Sequence, residues 1–263
     1  MRTLDASLGY AGREVSSQLN VSIPECSLTV IVGPNACGKS TLLRALARLL
    51  PPRQGHVILD GKDIHSLPTK SVARRLGLLP QTPIPPAGIS VRDLVARGRF
   101  PHQGLLRQWS SADDEAIWRA MEATGITDLA SRPVDQLSGG QRQRTWISLV
   151  LAQDTPLILL DEPTTYLDIR HQLDVLELCS SLHTTGTYTF AIVLHDLNLA
   201  FRYATHLIVM KDGRVEACGH PESIVSAELI SRVYDIDCVI EEDPTTGRPW
   251  VFPAKASPAS RCA

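Results

Sequence analysis

The stretch Gly33-Pro34-Asn35-Ala36-Cys37-Gly38-Lys39-Ser40-Thr41 fits the pattern G-x-x-x-x-G-K-[ST], and it dictates its own surroundings. Such a loop works where a strand runs into it and a helix starts from it, so that backbone N–H groups and the helix dipole converge on phosphate oxygens. Both flanks comply. Ser27-Leu28-Thr29-Val30-Ile31-Val32 is an apolar, β-branched run suited to a buried parallel strand, and Ser40 to Leu50 is helix-compatible up to Pro51-Pro52. Lys39 is placed to reach terminal phosphates as a point charge, and the Ser40 and Thr41 hydroxyls lie at the helix start, with Ser40 a ligand for Mg²⁺.

A phosphate loop that drives a reaction also needs a carboxylate for the metal and a group that handles water. Pro156-Leu157-Ile158-Leu159-Leu160-Asp161-Glu162 reads as a second buried strand tipped by two acids at its C-terminal end, where open parallel sheets bind ligands. Asp161 is the candidate Mg²⁺ carboxylate and Glu162 the candidate general base. Alone, the segment would also serve as a strand ending in a polar turn. With the phosphate loop, it reads as a nucleotide-hydrolysing pair.

Between the two lies Leu137-Ser138-Gly139-Gly140-Gln141. Ser138 and Gln141 form an S-x-x-Q capping box at the start of an amphipathic helix through Trp146, Ile147 and Leu149. Two bare glycines at a helix N-terminus make a second candidate anion site. An LSGGQ pentapeptide between such a loop and such an acid-tipped strand resembles the ATP-binding cassette (ABC) ATPases. That resemblance implies several further roles. Tyr10 corresponds to the aromatic that stacks on adenine, although alone it would read equally as a core tyrosine. Gln81, after Leu78-Leu79-Pro80, corresponds to the glutamine that touches Mg²⁺ and the lytic water. Asp168, in Thr165-Tyr166-Leu167-Asp168, belongs to the loop that crosses to a partner subunit. His195, ending the strand Tyr188–Leu194, corresponds to the histidine that contacts the γ-phosphate.

Ala36 stands where many of those relatives carry glycine, and it is expected at negative φ, where alanine is unstrained. Cys37, inside the loop beside Lys39 and a helix N-terminus, is expected to favour the thiolate and to react with thiol reagents unless ATP protects it; an inert small residue is the alternative.

With 263 residues, 43% hydrophobic and 21% charged, the chain suits one large α/β domain or a main domain with an inserted lobe. A net charge of −2 gives no reason to expect nucleic-acid binding. No apolar run approaches the roughly 18 residues of a spanning helix, and the N-terminus lacks a signal-peptide core, which leads to the expectation of a cytosolic chain; the resemblance implies that it is peripheral to the cytoplasmic side of the inner membrane. Cys26, Cys37, Cys179, Cys218, Cys238 and Cys262 show no metal-binding spacing and fit a reduced compartment.

The expected architecture is a P-loop NTPase (RecA-like) core with an N-terminal antiparallel β lobe, over 1–81 and 154–240. A helical subdomain carrying the signature is expected over 82–153, and a tail without assigned chemistry over 241–263. Within it, Gly98-Arg99-Phe100-Pro101-His102-Gln103-Gly104 reads as a Pro/Gly-punctuated loop with exposed aromatics, either plain solvent loop or the face that meets a permease. His206–Met210 and Val215–Ala217 read as a hairpin over Asp212-Gly213, and Thr246-Gly247 as a turn. The resemblance extends to the iron–siderophore uptake ATPases, with relatives serving haem and cobalamin. It implies an ATP- and Mg²⁺-dependent ATPase that works as a head-to-tail homodimer beneath membrane permease subunits fed by an extracytoplasmic binding protein. A non-transport ABC protein is the rival reading; it is disfavoured by the single cassette and the lack of a basic excess or heptad insertion.

Overall fold

Tight two-residue turns build the N-terminal strands into an antiparallel ribbon. β1 (Arg2–Tyr10) pairs with β2 (Arg13–Leu19) from Ala6↔Leu19 to Tyr10↔Arg13, with Gly12 at φ 78 in the turn. The structure is a computed structural model that describes residues 1–104, 109–165 and 167–254. Its chain falls into two units, 1–61 with 193–263, and 62–192.

In the first unit, β3 (Leu28–Val32) is buried at every position, which is why it carries no alternation. Burying each of Val30, Ile31 and Val32 stabilises by about 1.5–3 kcal/mol relative to exposure. The following helix, α1 (Lys39–Leu46), ends four residues before the expected stop at Leu50. Arg48 takes a left-handed φ of 62, and the Leu49 and Leu50 amides both turn back to the Arg44 carbonyl, so the helix closes before the prolines are reached. β4 (Gln54–Leu59) pairs antiparallel with β1 and ends in the Asp60-Gly61 turn, both residues at positive φ.

The second unit opens with β5 (Lys62–Asp63), α2 (Thr69–Ala73) and β6 (Leu76–Leu79). Three helices follow. α3 (Val91–Ala96) is capped by Ser90, α4 (Ser111–Ala123) by a Ser110–Asp113 box, and α5 (Gly139–Ala152) by the expected Ser138–Gln141 box. β7 (Leu157–Asp161) runs parallel to β6 in the register Leu79↔Leu160; α6 (Ile169–Thr184) and β8 (Thr189–Val193) complete a strand order of β8-β7-β6.

The expected loop over Gly98–Gly104 is not a plain solvent loop. It folds as a 3-10 turn, Arg97–His102, with Gly98 and Arg99 buried. The Arg99 guanidinium donates to Asp113 Oδ1 at 2.9 Å and to the Ala152 carbonyl at 2.8 Å, tying the turn to α4 and to the end of α5. A Cβ on Gly98 would sit 2.3 Å from the Leu149 carbonyl, so only glycine allows that approach. Phe100 does stay exposed, at 61%.

The chain then returns to the first unit. α7 (Leu197–Tyr203) leads to β9 (His206–Lys211), which pairs parallel with β3 in the register Val32↔Val209. β10 (Arg214–Gly219) pairs back over Asp212-Gly213, at φ 46 and 74, as the Asp-Gly signal requires. α8 (Pro221–Ile224) and α9 (Ala227–Tyr234) precede a hairpin of β11 (Cys238–Glu242) and β12 (Pro249–Pro253). Sequence reading found only its turn. Its anchor is Asn198 of α7, whose amide exchanges hydrogen bonds with both backbone groups of Val251 at 2.7 and 3.3 Å. Among the described residues, no helix is long and apolar enough to cross a membrane.

Candidate functional site

The loop Gly33–Thr41 hangs between β3 and α1, as its pattern demands. Gly38, at φ 106, is the N-cap of α1, a conformation that L side chains resist. Lys39 is 5% exposed, and its ammonium bridges the Gly33 and Pro34 carbonyls at 2.8 and 2.9 Å. The side chain therefore lies folded along the loop, its charge held where the backbone bends. Asn35 and Pro34 form the outer arc, closed by a Cys37 amide bond to the Pro34 carbonyl at 3.4 Å. Ser40 and Thr41 occupy the first turn of α1.

Two expectations about this loop are corrected. Ala36 sits at φ 62, not at negative φ. The loop bends through a left-handed residue there, and alanine supplies it at a cost of about 1 kcal/mol. Cys37 is not poised as a thiolate. It is 4% exposed, and burial raises its pKa; Lys39 and backbone hydrogen bonds pull the other way without prevailing.

Two more candidate residues belong to the same unit. Tyr10, at the end of β1, is 43% exposed; its hydroxyl accepts from Arg44 of α1 at 3.1 Å, and its carbonyl accepts from Arg53. The ring thus stands beside the phosphate-loop helix with area left for stacking. His195 follows β8 and is exposed. The preceding Leu194 amide donates to the Ile31 carbonyl at 3.2 Å, so the histidine leaves the sheet beside the strand that delivers the loop.

The second unit assembles the acids. Asp161 is 4% exposed at the C-terminal end of β7, and Glu162 is 9% exposed. Glu162 takes φ 53, a strained conformation for a non-glycine residue and one concentrated at functional sites. Its Oε2 accepts from Gln81 Nε2 at 2.5 Å and from the Thr165 hydroxyl at 3.2 Å. Glu162 and Gln81, assigned separately from sequence, therefore meet. Thr165 escaped sequence reading because a threonine after a proline turn carries no signal of what it will hold.

The signature stands as expected at the start of α5. Ser138 Oγ accepts from the Gln141 amide at 3.3 Å, and Gln141 Oε1 from the Ser138 amide at 3.1 Å. Ser138 and Gly139 are exposed; Gly140 is buried, and a Cβ there would lie 2.4 Å from the His171 ring. That glycine is needed for packing. Asp168 caps α6, accepting from the His171 amide at 2.9 Å and its Nδ1 at 2.7 Å. The His171 amide, first among these partners, holds the Asp168 carboxyl below its usual range. Tyr166 of the same loop lies outside the described residues.

The donor chemistry fits Mg²⁺. Ser40 offers a hydroxyl, Gln81 an amide and Asp161 a buried carboxylate, all hard oxygen ligands, and Mg²⁺ takes one or two carboxylates plus phosphate and water.

Compared with known proteins, residues 16–165 match the family model described as ABC transporter. The chain belongs to the ABC transporter family. As a member it is an ATP-binding ATPase, with the P-loop NTPase fold of the family's cassettes. The chain is 55% identical over 253 residues to the ferric enterobactin transport ATP-binding protein FepC of Escherichia coli (strain K12), an alignment covering 96% of this chain and 93% of that one. It is 51% identical over 247 residues to YusV of Bacillus subtilis (strain 168), which is named for a siderophore transport system; 94% of this chain and 90% of that one are covered. Among solved structures, the dimeric bacterial ABC transporter cassette MJ0796 superposes with a TM-score of 0.73 at 27% identity, covering 83% of this chain and 97% of that one.

Proposed function

We propose that this chain is the ATP-hydrolysing subunit of an importer that takes up iron–siderophore complexes, peripheral to the cytoplasmic face of the cell membrane. The observation that carries the hydrolytic part is Glu162, buried at a strand end in a strained conformation and held by Gln81 and Thr165. A carboxylate so fixed can orient and polarise a water without paying for reorganisation. The cargo class is supported by the likeness to FepC and YusV across nearly the whole chain.

In this reading Lys39 and the amides of Gly33–Thr41 bind the β- and γ-phosphates, and Tyr10 stacks on the adenine. His195 contacts the γ-phosphate. Ser40, Gln81 and Asp161 would hold Mg²⁺, which when bound would neutralise developing charge on the phosphate oxygens. Ser138, Gly139 and Gly140 are a second phosphate-binding element, exposed at a helix N-terminus and assigned to the nucleotide of a partner copy. Head-to-tail pairing of two copies would use both elements of each chain, with Asp168 and its loop at the seam. The helical segment 82–153 would meet the permease, with exposed Phe100 among its contacts, and an extracytoplasmic binding protein would deliver cargo.

The test is ATP turnover by the purified chain. Wild type should hydrolyse ATP with Mg²⁺, Glu162→Gln should lose hydrolysis by orders of magnitude while keeping ATP affinity, and Lys39→Ala should lose binding. Wild-type turnover in Glu162→Gln would remove the base assignment.

A further inference from the structure

β6 is a strand of four residues at the edge of its sheet, with β7 beside it. A strand so short gains from being fixed from outside the ladder, because a slip of one residue turns every side chain to the opposite face. Here the register carries chemistry. The pairs run from Leu76↔Leu157 to Leu79↔Leu160, and two residues further on Gln81 falls opposite Glu162, where its Nε2 donates to Oε2 at 2.5 Å.

The start of β6 is held by Gln153, the residue that closes α5. Its Nε2 donates to the Ala73 carbonyl at 2.6 Å and to the Leu76 carbonyl at 2.9 Å, so one amide joins the end of α2 to the first residue of β6. The Ala73 carbonyl is one of those that a helix end leaves without an internal partner. Gln153 is itself anchored. Its backbone N–H returns to the Leu149 and Val150 carbonyls, and its carbonyl accepts from His102 Nε2 at 2.7 Å, next to the Ala152 carbonyl that Arg99 occupies. Close packing completes the joint: a Cβ on Gly77 would lie 2.7 Å from Val150 Cγ1 and 3.1 Å from Thr155 Oγ1. Asp154, Thr155 and Pro156 then lead directly into β7, whose Leu157 amide donates to the Arg75 carbonyl at 3.3 Å.

We propose that Gln153 is a positioning residue for hydrolysis: by clamping the end of α2 and the start of β6, it fixes the register that sets Gln81 against Glu162. A side chain of equal length without donors would fill the same space and leave both carbonyls unserved, so the two hydrogen bonds are what glutamine adds. Gln153 touches neither Gln81 nor Glu162 in this account and acts through β6 alone.

This inference rests on Gln81 and Glu162 working together in ATP hydrolysis, and the experiment separates the two. Gln153→Met keeps the side-chain length and removes both donors. It is made in full-length wild type and in Gln81→Ala. The proteins are compared for kcat with γ-phosphate-radiolabelled ATP, for ATP Kd, and for amide hydrogen exchange over residues 76–81. Gln153→Met should lower kcat about ten-fold and leave the ATP Kd within about two-fold, since Gln153, Ala73 and Leu76 belong to the second unit and the Gly33–Thr41 loop to the first. In Gln81→Ala the same change should lower kcat by less than about two-fold, because the register no longer has a glutamine to place. Exchange over 76–81 should quicken several-fold in both backgrounds. An equal fall in kcat in both backgrounds, no fall in either, or unchanged exchange would reduce Gln153 to a helix-end cap and overturn the proposal. If wild type did not hydrolyse ATP, the ATPase reading would fail, while the exchange rates would still show whether the clamp holds β6.

Discussion

Ala36 shows how a single residue can be misread when the fold's demand on the backbone is invisible. Its φ of 62 is required by the loop's curvature, while its side chain prefers the opposite sign. Replacing it should therefore help: Ala36→Gly is expected to stabilise the protein by about 0.5–1 kcal/mol, read as a higher urea midpoint at unchanged m. Gly140 makes the opposite case. Gly140→Ala would push a methyl into the His171 ring, and it should lower both Tm and ATPase activity; His171→Ala in the same chain should restore much of the Tm. Failure of that rescue would mean the clash is not what makes Gly140 necessary. Cys37 follows the same logic as Ala36. Position beside Lys39 suggested a thiolate, but burial outweighs one nearby charge, and chain order does not reveal burial.

Elements were legible where a local signal and the tertiary demand agree. The Ser138–Gln141 box begins α5, the Asp212-Gly213 pair turns β9 into β10, and the apolar runs before the loop and before Asp161 are buried strands. The helix after the loop was overextended because Arg48, not the visible prolines, closes it. The β11–β12 hairpin was missed because its strands are short and its anchor, Asn198, is remote in sequence. Of the two readings of the Arg97–His102 turn, the plain solvent loop fails, because proline and glycine punctuation does not reveal that its arginine is buried on a carboxylate, while Phe100 is exposed as expected. That buried pair has a strong consequence. Arg99 and Asp113 side chains are 6% and 1% exposed, so Arg99→Ala should cost about 3–5 kcal/mol in urea unfolding by leaving Asp113 unpaired. Burial alone would raise the Asp113 pKa, but the Ser110 hydroxyl and Arg99 together hold it below its ordinary 3.8. A depressed folded-state pKa means the stabilisation is present above about pH 4 and fades as pH falls through the folded value. The stability gap between wild type and Asp113→Asn should narrow accordingly in acid.

At the scale of the whole molecule, the chain presents two candidate phosphate-binding elements: the Gly33–Thr41 loop and the exposed start of α5. One nucleotide bound to one copy does not need both. A two-fold pair would use them all, which predicts that Glu162→Gln with ATP and Mg²⁺ elutes as a dimer in size-exclusion chromatography, and that removing Mg²⁺ or changing Ser138 to Arg returns it to monomer. A monomer under every condition would contradict the head-to-tail arrangement. The nucleotide chemistry was readable from sequence because motif order along the chain carries it. The iron–siderophore class was legible only through resemblance over the whole chain, because no residue of this subunit need touch the transported compound. The most direct measurement is therefore uptake of radiolabelled ferric siderophore by cells lacking this chain. The account predicts that uptake is lost, returns with wild type and does not return with Glu162→Gln; uptake that persists without the chain, or that Glu162→Gln restores in full, would contradict it.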